Sequence, residues 1–213
     1  MMNSHTDIAA PSIGRRERKL AQTMQHIVTC AWALFNKYGF ESVTMDAIAT
    51  AADVARGTLY KHFPVKEALI AHRFRQDQLQ HQALVQEAAL AAPSIKAAFL
   101  TVLQLEAAYA ERMRSFIAPY VFYRLSHAQE NANPFENDSF APLALQLLQQ
   151  GQSDGVISRD ITARTLAENL IFLRLATMLR WLREPNALLA DLYAEMLHAF
   201  FHGAASRTTT LGE

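Results

Sequence analysis

The chain has 213 residues, 51% hydrophobic and 19% charged, enough for one or two small domains with a real core. Its 7 Gly and 7 Pro exclude a collagen-like repeat and argue against a turn-rich all-β protein, and the single cysteine, Cys30, excludes an internal disulfide or a multi-cysteine metal site. Lys and Arg balance Asp and Glu at 20 each, yet residues 1–66 carry 8 basic against 5 acidic groups and the remainder 12 against 15.

Residues 1–14, MMNSHTDIAAPSIG, are polar, contain Pro11 and Gly14, and read as a disordered tail without the basic-then-apolar layout of a secretion signal. No apolar run approaches the roughly 18 residues that span a bilayer, so a cytoplasmic protein with no membrane partner is expected. Four basic residues follow in quick succession: Arg15, Arg16, Arg18 and Lys19. They read as a short basic arm ahead of the first helix, suited to a phosphate or the minor groove.

The first helical periodicity runs through Leu20, Met24, Ile27, Val28, Ala31, Leu34, Phe35 and Tyr38. Gly39 supplies its left-handed stop and Phe40 the apolar residue after it. Cys30 lies in this helix and reads as a small buried hydrophobe. Thr44 is a good N-cap for a short helix from Met45 to Ala52, with Asp46 in its first turn. Asp53-Val54-Ala55 forms a tight turn, because Asp tolerates left-handed backbone. A second short helix, Arg56 to Phe63, turns Leu59 and Phe63 inward and ends at Pro64.

Helical patterns then occupy almost everything else. They run from Lys66 to about Ala91, from Ser94 to Ser115, from Pro119 through Tyr123 to His127, from Phe140 to Gln150, from Thr162 to Arg183 and from Asn186 to His202. Gln129 to Asp138, with Pro134 and three Asn, is the one substantial internal loop, and GQSDG separates two of the later helices. The expected fold class is all-α, with about nine helices.

Thr44 to Phe63 carries the chemistry: two short helices joined by a three-residue turn, the layout of a helix-turn-helix. The second displays Arg56, Thr58, Tyr60, Lys61 and His62. Arg can grip guanine with two hydrogen bonds, and the others can reach phosphates. Gly57 has no side chain, so the helix backbone can approach DNA closely; in a merely solvated helix it would cost about 1 kcal/mol.

The run AWALFNKYGFESVTMDAIATAADVARGTLYKHFPVKEALI resembles the N-terminal DNA-binding region of TetR-type transcriptional regulators. The matching features are Phe35, Tyr38 and Gly39 at the helix end, Thr44 before Ile48-Ala49, the block Gly57 to Phe63, and Lys66-Glu67-Leu69. The resemblance implies that Thr44 caps its helix and touches a phosphate, Arg56 and Lys61 meet or approach bases, Thr58, Tyr60 and His62 line the backbone, and Lys66 meets a phosphate. Asp53 stands where the family usually has Gly, and Ala55 where it has Ser or Thr, which forgoes a side-chain N-cap worth about 1 kcal/mol.

The implied organisation is a tail at 1–14, a three-helix DNA-binding domain at 15–65, a helical effector-binding and dimerisation domain at 66–203, and a flexible tail at 204–213. Two copies on one DNA site need recognition helices about 34 Å apart. The stripes Leu166, Leu170, Leu173, Thr177, Trp181 and Leu189, Leu192, Met196, Phe200 suit a four-helix interface between copies, or equally the chain's own core. Phe99, Leu103, Tyr109, Met113, Phe116, Tyr120, Tyr123 and Phe172 supply bulk for a ligand cavity, with Arg112, His127, Asn169 and Arg174 to orient a ligand. Arg174, flanked by apolar residues, suits an anionic group, the surface, or a carboxylate partner.

His198 and His202 have a usable two-ligand spacing, but no third ligand is evident, so neither metal nor cofactor is expected. The chain carries no GxSxG, no phosphate-binding glycine loop and no HExxH, and no enzyme is expected. The expected function is a repressor that binds a palindromic operator as a homodimer and is released by a small hydrophobic or aromatic effector. The alternatives are an activator, or a helical small-molecule-binding protein without DNA contacts. Effector identity, operator sequence and controlled genes lie beyond this reading.

Overall fold

The computed structural model describes residues 14–127 and 139–203. The expected tails, apart from Gly14, and the Gln129–Asp138 loop lie outside the described residues. Among the described residues there are nine helices and no strand. They are α1 (Arg15–Tyr38), α2 (Met45–Ala51), α3 (Arg56–His62), α4 (Lys66–Leu90), α5 (Ile95–Arg112), α6 (Arg114–Ser126), α7 (Phe140–Ser153), α8 (Ala163–Arg183) and α9 (Leu189–His202). None is long and apolar enough to cross a membrane. The chain divides into two compact units, Met1–Leu69 and Ile70–Glu213.

In the first unit α1 buries Ile27, Val28, Ala31, Trp32 and Phe35, one stripe at helical spacing. Leu20 and Tyr38, expected on that stripe, are exposed. Phe35 stacks edge-on against Trp32 and Phe40, so the chain just past the helix end closes back over the core. The reversal occurs at Gly39, whose φ of +80° excludes an L side chain even though the surrounding space is open. α2 packs on α1 and on α3, burying Ile48, Ala49 and Leu59.

The basic arm needs correction: Arg15, Arg16, Arg18 and Lys19 form the first turns of α1. Arg, Lys and Glu are good helix formers. Glu17 accepts the Gly14 N–H at 3.1 Å, satisfying a donor that a helix start leaves open. The apolar period begins only where the helix meets its neighbours, which is later than the helix itself.

In the second unit α5 packs against α9, α7 against α8, and α8 against α9. The buried stripe of α5 is Ala98, Phe99, Val102, Leu103, Ala107 and Ala110. Several boundaries differ from expectation, two of them instructively. α6 begins at Arg114, and Pro119 lies inside it, after a break at Met113 where both neighbouring helices turn. α7 runs through Gly151 to Ser153; a Cβ at 151 would meet the Ile157 side chain at 2.6 Å, so packing places glycine there. The start of α9 has no side-chain cap of its own, and the Glu111 carboxylate accepts the Leu189 N–H at 2.9 Å instead.

Candidate nucleic-acid interface and ligand pocket

α2 and α3 are positioned by caps and by one strained residue. Thr44 Oγ1 accepts the Ala47 N–H at 3.2 Å, starting α2 as its sequence predicts. Asp53 holds φ +50°, left-handed backbone normally given to glycine. The Val54 N–H then reaches the Ala49 carbonyl at 3.0 Å, closing the helix end. Ala55 stands at the N-cap of α3 in extended backbone and contributes no side-chain bond.

α3 is anchored by Leu59, which is fully buried, and by Phe63 just beyond it. Arg56, Gly57, Thr58, Tyr60 and Lys61 are exposed and His62 is half-buried. At Gly57 nothing lies within 4 Å of a built Cβ, so the fold itself does not call for glycine there. The Arg56 guanidinium is paired with the Asp46 carboxylate on α2, which holds its pKa above the ordinary value chiefly through that hydrogen bond. Lys66 Nζ donates to the Phe40 carbonyl at 2.8 Å and the Glu41 carbonyl at 3.3 Å, and sits over the Phe40 ring. It thus ties the start of α4 to the α1–α2 connector.

The second unit contains a cavity of about 430 Å³ between α4, α5, α6, α7 and α8. That falls within the range of small-molecule sites. Phe74, Val102, Ile117, Val121, Phe140, Leu143 and Met178 supply apolar wall. Among the polar residues of the lining, two carboxylates organise hydrogen-bonded clusters. The Tyr109 hydroxyl donates to Asp77 Oδ2 at 2.8 Å, and Arg73 Nε donates to Asp77 Oδ1 at 2.9 Å. Burial, then the bond to Asp77, pushes the Tyr109 hydroxyl far above its ordinary pKa, so it stays a donor. Three residues back on α5, Glu106 accepts from Arg174 at 2.8 Å and from the buried Tyr193 hydroxyl at 3.0 Å. Each cavity carboxylate therefore holds one arginine and one tyrosine.

Of the expected pocket residues, Tyr109, Arg112, Tyr120 and Arg174 line the cavity. Phe99, Leu103, Met113, Phe116, Tyr123, Asn169 and Phe172 do not, nor does the weighed His127. Phe99, Leu103 and Phe116 are buried in the core, whereas Asn169 and Phe172 face outward from α8. The expected interface stripes also need correction. Leu170, Trp181, Leu189, Leu192 and Met196 are buried within the single chain, because α8 and α9 cover α7 and α5. Leu173 is exposed, and Leu166, Thr177 and Phe200 are half-buried.

Residues 27–72 match the family described as "Bacterial regulatory proteins, tetR family". The transcriptional repressor KstR of Mycolicibacterium smegmatis is 38% identical over 80 residues, which cover 38% of this chain and 37% of that protein. The transcriptional regulator UidR of Escherichia coli K12 is 43% identical over 56 residues, 26% of this chain and 29% of that protein. Residues 27–72 thus carry the DNA-binding region of the TetR family. The matched segments span only 37% and 29% of these two relatives. The fold likeness extends further. The TetR-family repressor FadR of Thermus thermophilus, solved with lauroyl-CoA, superposes with a TM-score of 0.75 at 24% identity, covering 89% of this chain and 99% of that one. Bacillus subtilis FadR, solved with stearoyl-CoA, gives 0.64 at 18%, covering 85% and 99%.

The chain departs from the sequence expectations mostly in its pocket. Asp77, Glu106 and Arg124 line the cavity and were not anticipated. Asp77 and Glu106 lie on long helices among other polar residues, many of them exposed. A usable signal did exist for Glu106: it interrupts the α5 stripe between Leu103 and Ala107, where an apolar residue would otherwise fit. Among the described residues no group of three or more His, Cys, Asp or Glu side chains is gathered to hold a metal.

Proposed function

We propose that this chain is a TetR-family transcriptional repressor that binds palindromic duplex DNA as a homodimer, α3 entering the major groove. The supporting observation is the display on α3: Arg56, Thr58, Tyr60 and Lys61 outward around an exposed Gly57 that the fold does not need, with Leu59 as the buried anchor. Arg56 and Lys61 are assigned to base edges, Thr44, Thr58, Tyr60 and His62 to the backbone, and Arg15 and Arg16, on the first turn of α1, to flanking phosphates. Lys66 is assigned to a phosphate through its remaining N–H, with the two carbonyls of the α1–α2 connector fixing its direction. The outward face of α8, with Phe172, Leu173 and Ala176 exposed, is the surface assigned to the partner copy.

The effector fills the cavity of the second unit. Its apolar walls and its paired polar groups suit an amphiphile, and acyl thioesters are the class to test first, given the lauroyl-CoA and stearoyl-CoA bound by the two FadR proteins. Release requires only that the effector favour the state with lower operator affinity, a coupling of roughly 1–3 kcal/mol. On this reading the protein works in the cytoplasm, beside the DNA it controls.

Selection of sites from random duplex DNA at two salt concentrations tests the reading. A palindrome with half-sites about one helical turn apart, weakening steeply with salt, is expected. A folded, ligand-free sample that enriches nothing would overturn it. Acyl-CoAs of graded chain length then titrate the complex; release by none of them removes that effector class.

A further inference from the structure

Asp46 presents a puzzle if α3 reads DNA. It is an exposed carboxylate on the surface that would meet a polyanion, where an uncompensated negative charge weakens binding. Its place in the first turn of α2 benefits the helix dipole, but Thr44 already caps that helix. A dipole contact does not call for a partner on the next helix either. Asp46 has one: its Oδ2 takes the Nη2 of Arg56, ten residues on, across the helix-turn-helix.

The pairing changes what Arg56 can recognise. A guanidinium has five N–H donors in a rigid fork, and Asp46 occupies only Nη2. The remaining donors keep their direction, while the neighbouring carboxylate cancels the net charge that draws arginine to phosphate. Phosphate is further repelled by Asp46 itself. A guanine edge, which offers two acceptor atoms without net charge, is repelled far less. Resting on the DNA-binding reading above, we infer that Asp46 is a specificity-determining positioning residue that turns Arg56 away from phosphate and toward a guanine edge.

The full-length protein and its Asp46→Asn, Arg56→Ala and doubly substituted variants are compared by affinity for the selected site, for the site altered at each base pair, and for unrelated duplex, across a salt series. Arg56→Ala identifies the position that Arg56 reads by losing discrimination there. Wild type is expected to discriminate at that position by roughly tenfold or more. Asp46→Asn lowers this to a few-fold while binding unrelated duplex more tightly, with a salt slope steeper by about 1. In the Arg56→Ala background, Asp46→Asn leaves discrimination unchanged at every position, because its target is gone. Thermal unfolding of Asp46→Asn near the wild-type temperature confirms that the fold is intact. Full discrimination in Asp46→Asn, an equal loss with and without Arg56, or no position read by Arg56 overturns the inference while the regulator reading stands. Absence of any selected site for wild type instead overturns the regulator reading, and this inference with it.

Discussion

The two units keep their polar chemistry on opposite sides of their surfaces. In the first, Arg56, Thr58, Tyr60 and Lys61 point outward from a helix held by one buried leucine, so charge is displayed at little cost in burial. In the second, Asp77, Glu106, Tyr109 and Arg174 point into a cavity, and each carboxylate is matched by an arginine and a tyrosine. A displayed group stays solvated and owes little to the fold, even where, as at Arg56, it has a neighbour in Asp46. An internal group must first be satisfied by the fold, since an unpaired charge there is costly. Substitutions that alter binding are therefore separable from stability in the first unit and entangled with it in the second.

That contrast can be broken in several ways. The largest expected effect comes from the anchor of the displayed helix: Leu59→Ala should lower unfolding stability by about 3 kcal/mol, measured by urea denaturation, and take DNA affinity with it. Arg56→Ala with Lys61→Ala should cost about 2 kcal/mol or more of site affinity in a titration, with the unfolding temperature unchanged. A fall in that temperature would erase the distinction between display and anchor.

For the cavity, Glu106→Ala should cost about 2 kcal/mol of stability, because it removes the acceptor of both the Arg174 and the Tyr193 hydrogen bonds. Partial exposure of the Arg174–Glu106 pair keeps this below the full price of a buried ion. Glu106→Gln, which still accepts a hydrogen bond, should recover part of the loss. Glu111→Ala, removing the acceptor at the start of α9, should cost about 1 kcal/mol.

The smallest effect is a pH dependence at His72. Burial first, and Arg75 second, hold its imidazole below the usual 6.5. The unfolded chain therefore binds the proton before the folded chain does. This contribution to stability is present above about pH 6.5 and is lost as pH falls through that value toward the folded pKa. His72→Gln should reduce the drop in unfolding temperature between about pH 7 and about pH 5.5.

The helix-turn-helix was legible because its signals are local. Thr44 as a cap, Asp53 as a left-handed turn residue, Ala55 as a bare N-cap and Leu59 as the inward residue of α3 each depend on a few neighbours in the chain. The structure displays them as those neighbours dictate. Polar helical turns were harder: Arg15 to Lys19 carry no apolar period, so the start of α1 was not visible. Pro119 misled in the same direction, since the helix it was expected to open begins five residues earlier at Arg114.

The pocket and the interface stripes were not legible, because two apolar faces look alike until their neighbours are known. Phe99 and Tyr109 both lie on α5, yet one fills the core and the other lines the cavity. Leu170 and Leu173 are three residues apart on α8, one buried and the other exposed. The sequence by itself determined the all-helical class and the face α3 displays, both set by periodicity and capping within short stretches. Only the tertiary structure decided which side chains line the cavity, which carboxylate Arg174 meets 68 residues away, and which part of α8 remains outside. Burial is a property of the partner surface, and the partner here is distant in the chain.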